Sequence, residues 1–193
     1  MILYHGTTEV KGKKIQREGF VPDKSYNWEV HSKEGFVYLS YAYAPFYAMQ
    51  AKGKGKNLAL IQVDVSRSDW YPDDDFVMLA VFGKHRYSQK DLDEVDLEDY
   101  KYLAFNSFKY LGNVAVKTKV ANKGIKGVRF FDGSRLFHYV DPTITPLNYA
   151  IMGKYYHDLS QWIYKGKDYN KFPTQGELMM RDIERANKKK KKI

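Results

Sequence analysis

The sequence predicts an α+β fold, in which a mixed β-sheet is combined with helices of which few are long. Three observations lead to this class. One strand and one short helix come first along the chain, mostly strands follow, and the apolar runs between glycines and prolines are short. A chain of 193 residues with 44% hydrophobic residues can bury a sizeable core. The order of elements is not that of a doubly wound parallel sheet.

The first third of the chain alternates strands with two short helices. A strand that ends at Gly6 is expected first, and Gly19 ends the helix that follows it. Pro45 suits the first turn of the second helix. The aliphatic run after a glycine-rich turn at 53–57 is typical of a buried strand. The predicted strands are 2–5, 35–40 and 58–65, and the predicted helices are 14–20 and 44–52.

The middle and end of the chain are read in the same way. Three acids, Asp73, Asp74 and Asp75, are expected to cap a short helix over 76–82. Gly112 is expected to end a helix over 96–111. Further strands are predicted over 114–116, 127–131 and 136–140, the last two joined by a hairpin turn at Asp132-Gly133, and further helices over 158–164 and from a capping box at 174–177 to the end.

Domain organisation and compartment follow from composition. We predict one domain over residues 1–150 and a helical extension with a basic tail over 151–193. The absence of cysteine excludes disulfides, thiolate metal sites and a cysteine nucleophile. No apolar run reaches the length of a membrane span, and the first residues lack the pattern of a signal peptide. These features predict a cytoplasmic protein with no membrane partner.

Charge is unevenly distributed along the chain. Of the net charge of +9, five charges belong to Lys188, Lys189, Lys190, Lys191 and Lys192, which leaves +4 for the rest. An acidic block occupies residues 91–99. Such a distribution permits a nucleic-acid partner without requiring one.

Several common site motifs are absent from the sequence. There is no phosphate-binding P-loop, no complete dinucleotide-binding glycine fingerprint, no His-Glu-x-x-His pair and no Gly-x-Ser-x-Gly elbow. The five histidines are widely separated, so no metal site is predicted.

One constellation remains near the N-terminus. His5 ends the first strand and Gly6 follows it directly, where a glycine allows close backbone approach to a ligand. Tyr38 lies on the second strand and Tyr47 on the helix after it. One histidine and two tyrosines could therefore converge on one flat ligand.

These residues resemble the histidine-tyrosine branch of the ADP-ribosyltransferase superfamily, which includes diphtheria toxin and the poly-ADP-ribose polymerases. The similarity lies in His5-Gly6-Thr7, in Tyr38-Leu39-Ser40 and in Tyr47, and it covers residues 1–65. It implies a mainly antiparallel, split sheet and NAD as co-substrate. By the resemblance, His5 bonds the ribose next to nicotinamide, the Gly6 backbone pairs with the nicotinamide amide, and Thr7 supports the ribose.

The rest of the ligand site is implied by the same resemblance. Tyr38 and Tyr47 would hold the nicotinamide ring, with Ser40 beside them. The family's third element is a glutamate at the start of a later strand, and Asn113 is the best positional match, with His138 second. The missing carboxylate leaves three alternatives open: unusual transfer chemistry, a displaced glutamate, or a module that only binds.

The resemblance predicts an enzyme that releases nicotinamide and attaches one ADP-ribose to a macromolecule. Nucleic acid, DNA or RNA, is slightly favoured as the target by the lysine tail and the many aromatic residues. Protein is the alternative target, and a non-catalytic module that binds a nucleotide or a partner is the alternative class. A role as a toxin or in phage defence would suit such an enzyme.

Overall fold

The computed structural model describes residues 1–21, 33–51, 57–134, 136–139 and 146–190. Six strands and eight α-helices lie within these ranges. The strands are β1 (Ile2–Thr8), β2 (Phe36–Ser40), β3 (Asn57–Asp64), β4 (Trp70–Tyr71), β5 (Asn113–Lys117) and β6 (Ile125–Asp132). The helices are α1 (Glu9–Glu18), α2 (Ala44–Gln50), α3 (Asp74–Ala80), α4 (Gln89–Asp93), α5 (Ala104–Leu111), α6 (Thr118–Gly124), α7 (Pro146–Tyr164) and α8 (Gln175–Lys190). Four 3₁₀ turns add Arg67–Asp69, Lys101–Leu103, Leu136–Tyr139 and Tyr169–Lys171.

The strands form one sheet in the order β4-β5-β2-β1-β3-β6. Every neighbouring pair in the described part of the sheet is antiparallel. The predicted α+β class with a mainly antiparallel sheet is therefore confirmed.

The sheet is divided between β1 and β2. On one side, β1 pairs with β3 at all seven of its residues. On the other side, the described pairing of β1 with β2 is a single pair, Tyr4 opposite Ser40. The sheet therefore consists of two halves, β4-β5-β2 and β1-β3-β6, joined at one point. We call the line between β1 and β2 beyond that pair the seam.

Alternation of side chains along the strands sends apolar residues to both faces. One face packs against α1, α5 and α6, and its buried residues include Leu3, Leu39 and Val114. The opposite face packs against α2 and α7, around Tyr4, Phe46 and Tyr156. A third cluster, which includes Tyr71, Val77 and Leu92, joins α3 and α4 to the edge at β4.

The first strand is longer than the sequence indicated. It does not end at Gly6 but continues to Thr8, whose hydroxyl caps α1 by accepting from the backbone N–H of Lys11 at 3.4 Å. A glycine is required at position 6 of the strand because α2 packs directly against the backbone there. A Cβ at this position would stand 1.7 Å from the carbonyl oxygen of Ala44. The glycine thus marks close helix–strand packing.

Two further predictions along the chain are wrong. Residues 136–139 form a 3₁₀ turn and not a strand, so no hairpin follows Asp132 and β6 is the last strand of the described chain. The backbone N–H of Ser134 instead donates to the Asp132 carboxylate at 2.8 Å, which turns the chain. The helix predicted over 96–111 is α-helical only from Ala104, although it ends at Gly112, with φ at 71°, as expected.

Other local predictions are confirmed. Pro45 lies in the first turn of α2, and Asp73 caps α3. Thr174 and Glu177 form the reciprocal hydrogen bonds of a capping box at the start of α8. Most of the predicted turn over 53–57 lies outside the described residues.

The predicted boundary between residues 150 and 151 falls inside α7. Tyr156 and Leu159 of this helix are buried in the same core as Tyr4 of the first strand. Within the described chain, none of the helices combines the length and the apolar character that crossing a membrane requires.

Candidate functional site at the seam

His5 spans the seam. Its Nδ1 lies 3.0 Å from the carbonyl oxygen of Tyr38 on β2. Burial is the main cause that lowers the pKa of His5. The hydrogen bond that His5 donates to the Tyr38 carbonyl opposes this shift, and the charge of Lys11 adds to it. The ring is therefore neutral at pH 7. Because a carbonyl oxygen only accepts, Nδ1 carries the proton and Nε2 is left as an acceptor.

Phe20 fixes the position of the His5 ring. The two rings meet edge to face, with centroids 5.2 Å apart. Phe20 is itself held by the side chain of Asn122 on α6, which accepts from the Phe20 N–H at 2.6 Å and donates to its carbonyl at 2.9 Å. The imidazole is thus oriented by contacts from β2 and, through Phe20, from α6.

The two residues after His5 are enclosed by the fold. The Cα of Gly6 is covered by α2, so the space that the sequence suggested for a ligand is occupied there by the helix. Thr7 is completely buried, and its Oγ1 has no hydrogen-bond partner among the described residues. Any role of Gly6 toward a ligand would fall to its backbone groups.

Tyr38 makes hydrogen bonds at the seam through both its backbone and its side chain. Its carbonyl oxygen accepts from Nδ1 of His5. Its hydroxyl donates to Oδ2 of Asp74 and accepts from the backbone N–H of Lys33 at 3.3 Å. Burial and the nearby Asp74 charge raise the pKa of this phenol well above its ordinary value. The phenolic hydroxyl of this half-buried side chain is therefore protonated at all physiological pH values.

Tyr47 and Asn113 form a direct pair. Nδ2 of Asn113 donates to the Tyr47 hydroxyl at 2.7 Å. Asn113 opens β5 opposite Ser40, is only 6% exposed, and its Oδ1 has no partner among the described residues. Burial, and next the charge of Asp73, raises the pKa of Tyr47. The structure thus brings together two of the residues that the sequence nominated separately.

Ser40 has a structural role. Its Oγ accepts from the backbone N–H groups of Ala42, at 3.3 Å, and Tyr43, at 2.9 Å. These bonds turn the chain from β2 into α2. The hydroxyl is buried and already occupied by the backbone.

The acidic triplet at the start of α3 belongs to the site, although the sequence predicted it as a helix cap. Asp73 acts as the predicted cap, because its Oδ1 accepts from the Asp75 N–H at 3.0 Å. Asp75 contacts the hydroxyl of Tyr87. Asp74 contacts Tyr38, is 5% exposed, and its Oδ1 has no partner among the described residues. The signal in the sequence was that three acids exceed what one helix start needs.

Burial dominates the electrostatics of this triplet. It raises the pKa of Asp73, Asp74 and Asp75, that of Asp74 to about 6. Repulsion within the triplet adds to the rise for Asp73 and Asp74. Buried carboxylates with such shifts are costly and occur preferentially at functional sites.

Ser107 on α5 connects the triplet to Asn113. Its Oγ accepts from the Asp73 N–H and donates to the Asn113 carbonyl, both at 2.9 Å. Tyr38, Tyr47, Asn113 and the acids therefore belong to one connected polar group, which we call the acidic cluster. His5 is linked to this cluster through the backbone of Tyr38.

The remaining candidates lie elsewhere. His138, the second match for the missing glutamate, is in the 3₁₀ turn and not on a strand. Lys188 is exposed at the end of α8, while Lys191 and Lys192 lie outside the described residues. A cavity of about 620 Å³ lies between the end of β6 and the turn after α7, and none of the nominated residues lines it.

Among the described residues, no group of three or more histidine or acidic side chains is arranged to hold a metal ion. Comparison with known proteins finds no matching family model, no matching curated protein and no matching solved structure.

Proposed function

We propose that the chain is an NAD-dependent mono-ADP-ribosyltransferase, which releases nicotinamide and attaches ADP-ribose to a macromolecule. The observation that supports it is the seam. At the seam, where β1 and β2 share one described residue pair, a neutral His5 is bonded to the backbone of Tyr38. A second tyrosine stands on the helix that follows.

The chemistry of transfer suits these groups. The bond between ribose C1′ and the nicotinamide nitrogen breaks, and the electron pair leaves with nicotinamide. C1′ then becomes cationic and is attacked by the acceptor. A neutral His5 can accept a ribose hydroxyl at Nε2 without adding positive charge beside this cation. The Tyr38 and Tyr47 rings can stack on the departing aromatic ring.

Nucleic acid is the favoured target class. Around α5, exposed aromatic residues are interleaved with cations: the Arg67 guanidinium lies 4.8 Å from the centre of the Phe105 ring, and the Lys109 ammonium lies 5.5 Å from that of Tyr110. Tyr102, in the 3₁₀ turn directly before α5, is 74% exposed. Aromatic and basic side chains in alternation are typical of surfaces that bind single strands. The basic end of α8 adds charge, and protein remains the alternative target.

A second candidate function is favoured by one residue. Asn113 stands where the resembled family has a glutamate, and an amide offers no negative charge. A module of this fold that binds NAD, another nucleotide or a partner without reacting is therefore the competing proposal.

Labelled NAD incubated with the protein and separate pools of DNA, RNA and protein tests the proposal. We expect nicotinamide release and label in a nuclease-sensitive product. Protease-sensitive label would transfer the proposal to protein targets. NAD binding without release in any pool would favour the non-catalytic module, and neither binding nor release would refute both candidates.

His5→Ala tests the site itself. Because His5 is the one imidazole at the seam among the described residues, we expect release to fall on the order of 100-fold or more. His157→Ala is the matched control. The Nδ1 of His157 also lies at a backbone carbonyl, that of Tyr41 at 2.8 Å, but on the α7 side of the fold. Equal losses in the two variants would place the site elsewhere.

A further inference from the structure

We infer that Asp74 is the proton acceptor of the transfer reaction, and that Tyr38 relays the proton to it from the acceptor group of the target. This inference rests on the proposed function. It assigns the missing negative charge to α3 and not to the start of β5.

The geometry of the three acids singles out Asp74. The Asp73 carboxylate is engaged as the helix cap, and the Asp75 carboxylate is engaged by Tyr87. Asp74 alone of the three bonds a residue of the seam, through the Tyr38 hydroxyl. Its carboxylate is almost completely buried, and the half-buried phenol between it and the seam gives a path for a proton.

A second observation, independent of the acids, indicates that a ligand belongs here. Asn113 is buried and bonded through Nδ2 to Tyr47, yet its Oδ1 has no donor among the described residues. Buried acceptors in folded proteins are almost always satisfied. A hydroxyl of a bound ribose would supply the donor. Tyr47 also feels the charges of Asp73 and Asp75, so this acceptor lies near the acids of α3.

The step balances as follows. The C1′–nitrogen bond breaks and its electron pair leaves with nicotinamide, while an oxygen or nitrogen of the target forms a bond to C1′. The proton of that attacking group passes to Oη of Tyr38 as the phenolic proton passes to Asp74. Tyr38 ends unchanged, and Asp74 ends protonated.

The environment of Asp74 suits this role. Its pKa of about 6 lets it be ionised at neutral pH and still hold a proton during the reaction. The groups that act on it are Asp75 on its own helix, which raises the pKa, and Tyr38 and Lys33, which lower it. Asp73 is its neighbour in the chain. The target transfer rate is therefore expected to rise with pH through about 6 and then to level off.

Asp74→Asn is the test, because it keeps the shape of the side chain and removes its basicity. We expect transfer to fall on the order of 100- to 10,000-fold, binding of NAD by calorimetry to stay within about threefold of the parent, and the pH dependence near 6 to disappear. Tyr38→Phe is expected to give a similar loss, because it interrupts the relay. Asp91→Asn, which changes a half-buried acid in the first turn of α4, is the control and keeps full transfer.

The outcomes of these experiments distinguish failure of the proposed function from failure of the inference about Asp74. A parent protein that neither binds NAD nor releases nicotinamide refutes the proposed function and this inference with it. An active parent with an active Asp74→Asn variant, or an inactive variant whose NAD binding is lost as well, overturns the inference alone. The outcome that supports it is a folded Asp74→Asn variant that binds NAD without transferring it.

Discussion

Two short helices, α3 and α4, both begin with aspartate in the first turn, and the two acids have opposite environments. Asp91 of α4 lies in a capping box: its carboxylate accepts from the Ser88 N–H at 2.8 Å and contacts Lys84. These partners lower its pKa, Lys84 most of all. Asp74 of α3 is buried, and burial raises its pKa.

Asp91 therefore stabilises the fold, whereas Asp74 destabilises it when its carboxylate is ionised. An aspartate in the first turn normally faces the positive end of a helix and satisfies free N–H groups, as Asp91 does. Asp74 loses more by leaving water than it gains from Tyr38, since the net shift of its pKa is upward. Proteins keep such a cost mainly where activity requires it. The comparison therefore marks α3 as part of the site and α4 as part of the scaffold.

The largest expected effect is on stability at alkaline pH. At pH 8, Asp74→Asn is expected to raise the free energy of unfolding by on the order of 3 kcal/mol, because burial raises the pKa of Asp74 from 3.8 to about 6. Asp91→Asn is expected to lower it. Urea unfolding of both variants measures the difference. A destabilised Asp74→Asn protein would show that both acids are scaffold residues.

The same contrast appears as opposite pH dependence. The pKa of Asp74 lies above its ordinary value of 3.8, so its burial costs nothing at low pH and destabilises the fold as pH rises to about 6. The pKa of Asp91 lies below its ordinary value of 3.8, so its contribution is present above about pH 4 and is lost as pH falls. Unfolding midpoints of the parent and each variant from pH 2 to 7 give the two slopes. Parallel slopes would remove the distinction.

A smaller difference is expected between the serines beside the two helices. Ser107→Ala leaves the buried Asp73 N–H and Asn113 carbonyl without their bonds, and we expect a loss of about 2 kcal/mol. Ser88→Ala removes an exposed cap and is expected to cost about 1 kcal/mol. Thermal or urea unfolding ranks the two variants. If Ser88→Ala costs more, the polar connection between α3 and β5 is weaker than its geometry indicates.

The sequence was sufficient wherever structure depends on neighbours in the chain. The aliphatic runs of β3 and β5, the proline of α2, the Gly112 stop and the capping box of α8 are all local signals. Leu136–Tyr139 was misread because a short apolar run does not distinguish a strand from a tight turn.

The site was predictable only in its parts. His5, Tyr38 and Tyr47 could be nominated from their motifs, and Asn113 from its position after a helix. The contact of Tyr38 with Asp74 joins residues 36 apart in the chain and depends on how α3 packs on the sheet. The close packing of α2 on the backbone of Gly6 could not be predicted for a similar reason, since it also depends on how a helix packs on the sheet.

The clamp of Asn122 on Phe20 has a consequence for the order in which the protein folds. The two residues are 102 positions apart, so this contact closes a long loop and is slow to form. Phe20 is the ring against which His5 rests. During synthesis, the N-terminal strand and its histidine therefore emerge long before α6 can secure them. We expect the protein to acquire its seam late, after most of the sheet has assembled.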